Sequence, residues 1–400
     1  MSSANPLPVT RDTVSAFRVG PVLEYAPPSN PLYFRSEGVE IVGLGEHVRW
    51  VARGPARFAE LAERWRELLS QVEPSMRDSL IALGSGSFDP DDEASLIVPR
   101  VTIARRGREV TTITLGSDDA SEPNRRSIGH APVVEWPHID TVFPDRVRTA
   151  LGRLDEGFGK VVVARAITGT VVTTGDERAP LARLTSAYPD CHIFAVDGLW
   201  GASPETLVRV VHRRVTARVL AGSAARGIDP TSDARAANEL MGSAKDRDEH
   251  RFAVTSVVSS LEPHCRSIVG ADTPFPLRLT NVWHLASDIE GVLAANRSVL
   301  ELIDSLHPTA AVAGVPRDRA LATIRDVEKF PRGRYAGPVG WVDGAGNGEW
   351  AIALRCAQWR GDEIVAHAGA GVVVGSDPDS EYRETELKFR PIRDALAAER

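Results

Sequence analysis

The chain has very little lysine. Of its 47 basic residues only Lys160, Lys245, Lys329 and Lys388 carry an ammonium group, and arginine supplies the rest. Cysteine is almost as scarce. Cys191, Cys265 and Cys356 are odd in number and far apart, without the paired spacing of a zinc site or a redox dithiol, so they read as small buried hydrophobes in a reducing compartment. No apolar run approaches the roughly 20 residues that cross a bilayer, and the first residues lack the basic-then-apolar pattern of an export signal. The expectation is a cytoplasmic protein with no membrane partner. An excess of positive charge is also missing: 47 basic against 54 acidic residues leave a net charge of −7, which opposes any sequence-independent hold on nucleic acid.

What is present describes a folded chain. Four hundred residues, 42% hydrophobic and 25% charged, can bury one large core or two to three smaller ones. The first 20 or so residues are polar and proline-containing and read as a loosely held lead-in. Phe58, Leu61, Trp65, Leu68 and Leu69 fall at helical spacing within Gly54 to Glu73. Ser95 to Ala104 and Glu109 to Leu115 read as a hairpin, and Gly116 to Ala131 as a surface loop. Further strands are expected at Lys160 to Val172, His192 to Asp197, Thr206 to Val211, Val215 to Leu220, Gly337 to Val342, Glu349 to Trp359 and Ile364 to Val374. Helices are expected at Ser232 to Leu261, at Arg317 to Val327, and from about Pro378 onward. Tight turns such as Asp343 to Gly348 call for antiparallel pairing. The fold class is therefore α+β, with large antiparallel sheets flanked by helices. Residues 1–135 form an N-terminal part of that fold and 136–400 its catalytic region.

Several residues invite a chemical reading. An ammonium can lose its proton near neutral pH when desolvated or placed beside another cation, and a guanidinium cannot. Lys160 opens the β-branched run Val161-Val162-Val163, which would hold an amine base on a rigid strand. Codon bias that happened to leave four lysines is the plainer alternative. Glu205, in the turn Gly201-Ala202-Ser203-Pro204-Glu205, could be kept protonated by desolvation and serve as a general acid, or be an ordinary exposed turn carboxylate. Ser376-Asp377-Pro378 starts the last helix, on which Glu381, Glu384 and Lys388 share a stripe. That stripe is either part of a metal site or an exposed Glu384–Lys388 pair worth about 0.3–0.5 kcal/mol. Glu249 lies where the charged turn of a second helix meets its apolar face, and two such glutamates could converge on a hard cation such as magnesium. Gly369-Ala370-Gly371 lets backbone N–H groups approach an anion. His284 is a substrate donor or a satisfied core histidine.

Taken in order, these segments resemble the chorismate-utilising enzymes, and among them the isochorismate synthases. The resemblance runs from about Phe143 onward and rests on Lys160 to Arg165, Gly201 to Glu205, Leu220-Ala221-Gly222-Ser223, Lys245 to His250, His284-Leu285, His307-Pro308-Thr309, Arg332 to Gly337, Gly348-Glu349-Trp350, Leu354-Arg355-Cys356, Gly369-Ala370-Gly371 and Glu381 to Lys388. It implies a pocket chemistry that can be assigned residue by residue: Lys160 as the base that activates water, Glu205 as the acid that protonates the departing hydroxyl, Glu249 and Glu384 as magnesium ligands with Glu381 beside them. It further implies that Arg355, Gly371 and Lys388 receive substrate carboxylates, while Ser223, His284, Tyr335 and Gly369 line the pocket. The implied substrate is chorismate, the cofactor Mg2+, the site a deep cleft, and the chain a monomer. Salicylate synthases, which go on to eliminate pyruvate, share most of this set. A chorismate-binding regulator without turnover would need neither Lys160 nor Glu205. Ala310 stands where the family commonly has proline.

Overall fold

The computed structural model describes residues 6–15, 20–116, 123–136, 141–155, 157–271, 273–278 and 282–397, except the side chains of Ser15, Ser223, Ala225, Lys245, Glu249 and Val282. Among these residues every ladder between strands is antiparallel. The long ladder of Val39–Arg53 with Glu93–Arg106 is shared by two arms of sheet. One arm continues through Leu32–Ser36, His192–Val196, Leu199–Ser203, Cys356–Arg360 and Glu363–Val373 to Lys160–Thr173. The other continues through Ile81–Gly86, Pro338–Asp343, Gly348–Ile352, Thr206–Val211 and Arg214–Ala225 to Val282–Leu293. Strands from the first 135 residues thus pair directly with strands from the rest of the chain.

Helices cover these arms because each has one apolar stripe. Helix Arg57–Ser70 buries Phe58, Leu61, Trp65, Leu68 and Leu69, with Phe58 meeting Trp350 edge-on at 5.3 Å; each such side chain contributes about 1.5–3 kcal/mol by leaving water. The last helix, Pro378–Ala395, is capped by Asp377, which accepts from the Ser380 amide at 2.8 Å, and buries Phe389, Ile392 and Ala395. It packs on the strand Glu363–Val373, while helix Ala244–Leu261 packs on Arg214–Ala225 and Val282–Leu293.

Three expectations are corrected. The lead-in is not loose throughout, since Val9–Ser15 is a strand paired with Glu109–Leu115. The helix expected over Ser232 to Leu261 is two helices, Pro230–Gly242 and Ala244–Leu261. They are divided at Ser243, which adopts extended geometry and caps the second through the Asp246 amide. The strand expected over Glu349 to Trp359 is likewise two, Gly348–Ile352 and Cys356–Arg360, interrupted where Arg355 takes a positive φ of 44°. The hairpin of Glu93–Arg106 with Glu109–Leu115 and the strand Thr206–Val211 lie where the sequence put them. Part of the loop expected over Gly116 to Ala131 lies outside the described residues, and residues 123–131 have no regular structure.

One edge of Lys160–Thr173 is completed by an ion pair. Gly314–Val315 pairs with Val161 and Lys160, and Val133–Glu135 pairs with residues from Thr170 to Thr173. In the gap between them the Ala164 amide donates to Glu328 at 2.8 Å and Arg332 donates to the Val162 carbonyl at 2.8 Å. Arg332 and Glu328 are buried and bonded to each other, and the guanidinium lies 4.2 Å from the centre of the Phe88 ring. Backbone groups that a missing strand would leave unpaired are thereby satisfied, and removing one member of such a buried pair typically costs about 3–5 kcal/mol.

Candidate active site

Lys160 is the first residue of its strand and pairs with Val373, so that Val162 faces Gly371 and Ala164 faces Gly369 across the ladder. A β-carbon on Gly371 would lie 3.1 Å from Lys160 Cε and 3.8 Å from Nζ. The amine therefore lies over a position kept clear by glycine. A β-carbon on Gly369 would come 3.0 Å from the Tyr335 hydroxyl. Lys388 reaches in from the last helix, donating to the Gly369 carbonyl at 2.7 Å and pairing with Glu384 at 2.6 Å. The Tyr335 ring stacks on His367 at 5.3 Å and 15°; burial pushes its phenol up and holds His367 down at about 3, so both are neutral. Lys160, Gly369, Gly371, Tyr335, Glu384 and Lys388 are thus brought together on one arm.

Glu205 sits where the chain passes from one arm to the other, between Leu199–Ser203 and Thr206–Val211. A second crossing, Ala353 to Arg355, runs beside it. The Ile352 amide donates to the Glu205 carbonyl at 3.0 Å, and the Ala202 amide to the Arg355 carbonyl at 3.1 Å. Gly201 is required here, because a β-carbon would stand 2.6 Å from the Arg355 carbonyl oxygen. Burial pushes the Glu205 carboxyl up, against the pull of Arg355, Lys160 and Lys388. A desolvated carboxylic acid with basic side chains around it is placed to give up a proton when negative charge develops near it.

The other arm supplies His284, directly across the ladder from Ser223. The register slips between Ala221 and Ser223, where Gly222 has φ +77°. Burial holds the His284 ring below its ordinary range, as do the Lys160 and Lys388 charges, while a bond with the Gly222 backbone and Glu384 act the other way. His284 therefore shares a field with residues of the first arm. The side chains of Ser223 and Glu249 lie outside the described residues; Glu249 is in helix Ala244–Leu261, beside His250, which bonds the Ala221 carbonyl at 3.1 Å and Ser287 at 2.9 Å.

Among the described residues no three His, Cys, Asp or Glu side chains form a metal cluster. Two of the three expected carboxylates are described, and their chemistry suits a hard cation. Burial pushes Glu381 up and its neighbour Glu384 adds to this, against a bond from Ser376 and the Lys388 charge. Two oxygen donors that repel each other one helical turn apart would gain from the positive charge of a divalent ion.

In the sequence Arg165 only closes the motif that Lys160 opens, but in the fold it fastens the last helix to the Lys160 strand. Its buried guanidinium donates to Thr385 at 2.7 Å, pairs with Glu386, and lies 4.2 Å from the centre of the Tyr382 ring and 4.9 Å from that of Phe389. A buried arginine wedged between aromatic rings leaves no periodic trace in a sequence.

Basic side chains and carboxylates gathered where two antiparallel arms exchange strands suit an enzyme site for a small anionic substrate, and the sequence matches the chorismate binding enzymes over residues 116–397. The chain belongs to that family. It is 34% identical over 361 residues to isochorismate synthase DhbC of Bacillus subtilis, covering 87% of this chain and 88% of that one. It is 34% identical over 404 residues to isochorismate synthase MenF of the same organism, covering 90% and 86%. The solved structure of MenF, the menaquinone-specific isochorismate synthase from Escherichia coli, superposes with a TM-score of 0.78 over 99% of this chain and 97% of that one; at 24% identity it shows a shared fold. Among the described residues no helix is long and apolar enough to cross a membrane.

Proposed function

We propose that this enzyme is a magnesium-dependent isochorismate synthase, adding water at ring position 2 of chorismate and losing the 4-hydroxyl. What supports the reading most is that Lys160 and Glu205 act on each other electrostatically: an amine over Gly371, and a desolvated carboxyl held at the crossing between the arms. Lys160, as the neutral amine, takes a proton from the attacking water. Glu205, as the neutral acid, protonates the leaving hydroxyl. Arg355 and Lys388 bind carboxylate, with the Gly371 backbone open beside them, and Tyr335, His284, Ser223 and Gly369 line the ring. Glu249, Glu381 and Glu384 would hold Mg2+, which supplies positive charge to bind and polarise the ring carboxylate. The same reading makes the chain a cytoplasmic monomer acting on a small molecule.

The test is to incubate the chain with chorismate and magnesium and separate the products. Isochorismate, without pyruvate, is expected. Salicylate and pyruvate in the absence of an added lyase would make it a salicylate synthase, and no turnover with retained chorismate binding would make it a regulator.

A further inference from the structure

We infer that His192 and Glu349 form a buried clamp whose hydrogen bonds fix the turn carrying Glu205, so that both are positioning residues for the acid step. The inference deepens the proposed function and rests on Glu205 being the acid. Glu349 belongs to the Gly348-Glu349-Trp350 motif, to which no role has yet attached, and His192 opens its own strand. Both are buried.

The geometry brackets the turn. His192 Nδ1 bonds the Ser203 carbonyl at 3.1 Å, and Nε2 lies 3.4 Å from the Thr206 hydroxyl. Glu205 is thus held from both sides. Nε2 also meets Glu349 Oε1 at 2.9 Å, and Glu349 Oε2 accepts from Ser36 at 2.7 Å. The turn's own bonds follow: the Glu205 amide donates to Ser203 Oγ at 3.2 Å, and Ser203 Oγ donates to the Ile352 carbonyl at 2.6 Å.

The carbonyl partner fixes the proton on one ring nitrogen. The carbonyl at Nδ1 can only accept, so Nδ1 carries a hydrogen. Burial pushes the Glu349 carboxyl up, but the bonds from His192 and Ser36 and the charges of His192 and Arg209 more than offset this and hold it below its ordinary range. Arg209, 3.8 Å from Glu349, and the Phe34 ring, 5.9 Å from His192, complete the surroundings.

Two measurements test the clamp. In the wild-type enzyme labelled with nitrogen-15 histidine, the His192 resonances should show a hydrogen on Nδ1, as the Ser203 carbonyl requires; an Nδ1 without hydrogen overturns the inference. In kinetics, Glu349→Ala should lower kcat about tenfold or more while the chorismate KM stays within about twofold. It should also move the descending basic limb of kcat/KM to lower pH by about one unit, because a loosened turn lets water reach Glu205. Glu349→Gln, whose amide can donate to a neutral ring at Nε2, should recover most of both losses. An unmoved limb and unchanged kcat in folded Glu349→Ala would overturn the clamp. Full turnover in Glu205→Gln would instead sink the acid assignment on which it rests, and that outcome is separate from the other two.

Discussion

Replacing Lys160 by alanine should reduce kcat by about 10³-fold or more, within the range for loss of a positioned general base, while the chorismate KM and the magnesium requirement change little. The reason is local. Lys160 lies over Gly371 at the end of the ladder, and its neighbours Arg355 and Lys388 are left to hold the substrate. Lys160→Arg should be as inactive as the alanine variant, because a guanidinium stays protonated and cannot accept a proton from water. Steady-state kinetics on both variants, with calorimetric binding of chorismate in the presence of magnesium, separate turnover from binding. Turnover close to wild type in either variant would return Lys160 to the surface lysines.

Glu205→Gln should cost about 10²–10⁴ in kcat, and it should change the shape of the pH profile. Glu205 must be protonated to act, and burial places its carboxyl above the ordinary carboxylate range. The active fraction is full below that raised value and is lost as pH rises through it, so kcat/KM in the wild type should descend on the basic side. The base requirement acts in the other direction and gives an ascending acid limb. The two limbs are macroscopic properties of an interacting pair. The residual activity of Glu205→Gln should lack the descending limb; its persistence unchanged would assign that limb to another group.

Much of the first arm was legible because its signals are local. The β-branched run after Lys160, the Asp377 cap with Pro378 behind it, and the glycines at 369 and 371 each announce their geometry within a few residues. The breaks at Ser243 and Arg355 were not anticipated, although Gly242-Ser243 is a stop followed by a cap, because the patterns on either side run on without change of period. The contacts that hold the site together were out of reach for a different reason. His192 meets Glu349 across 157 positions and Ala164 meets Glu328 across 164, and only the pairing of distant strands brings them into contact. Arg165, similarly, meets Thr385 across 220 positions. The family resemblance supplied roles for pocket residues but none for these supports.

The proposed reaction requires water to enter the ring on the side of Lys160 as a hydroxyl leaves on the side of Glu205. Turnover of chorismate in water enriched with oxygen-18, followed by mass spectrometry of the product, tests this most directly. Isochorismate carrying one solvent oxygen at ring position 2 is the predicted result. Isochorismate in which that hydroxyl retains the substrate's own oxygen would contradict it, since an internal migration needs no water-activating base.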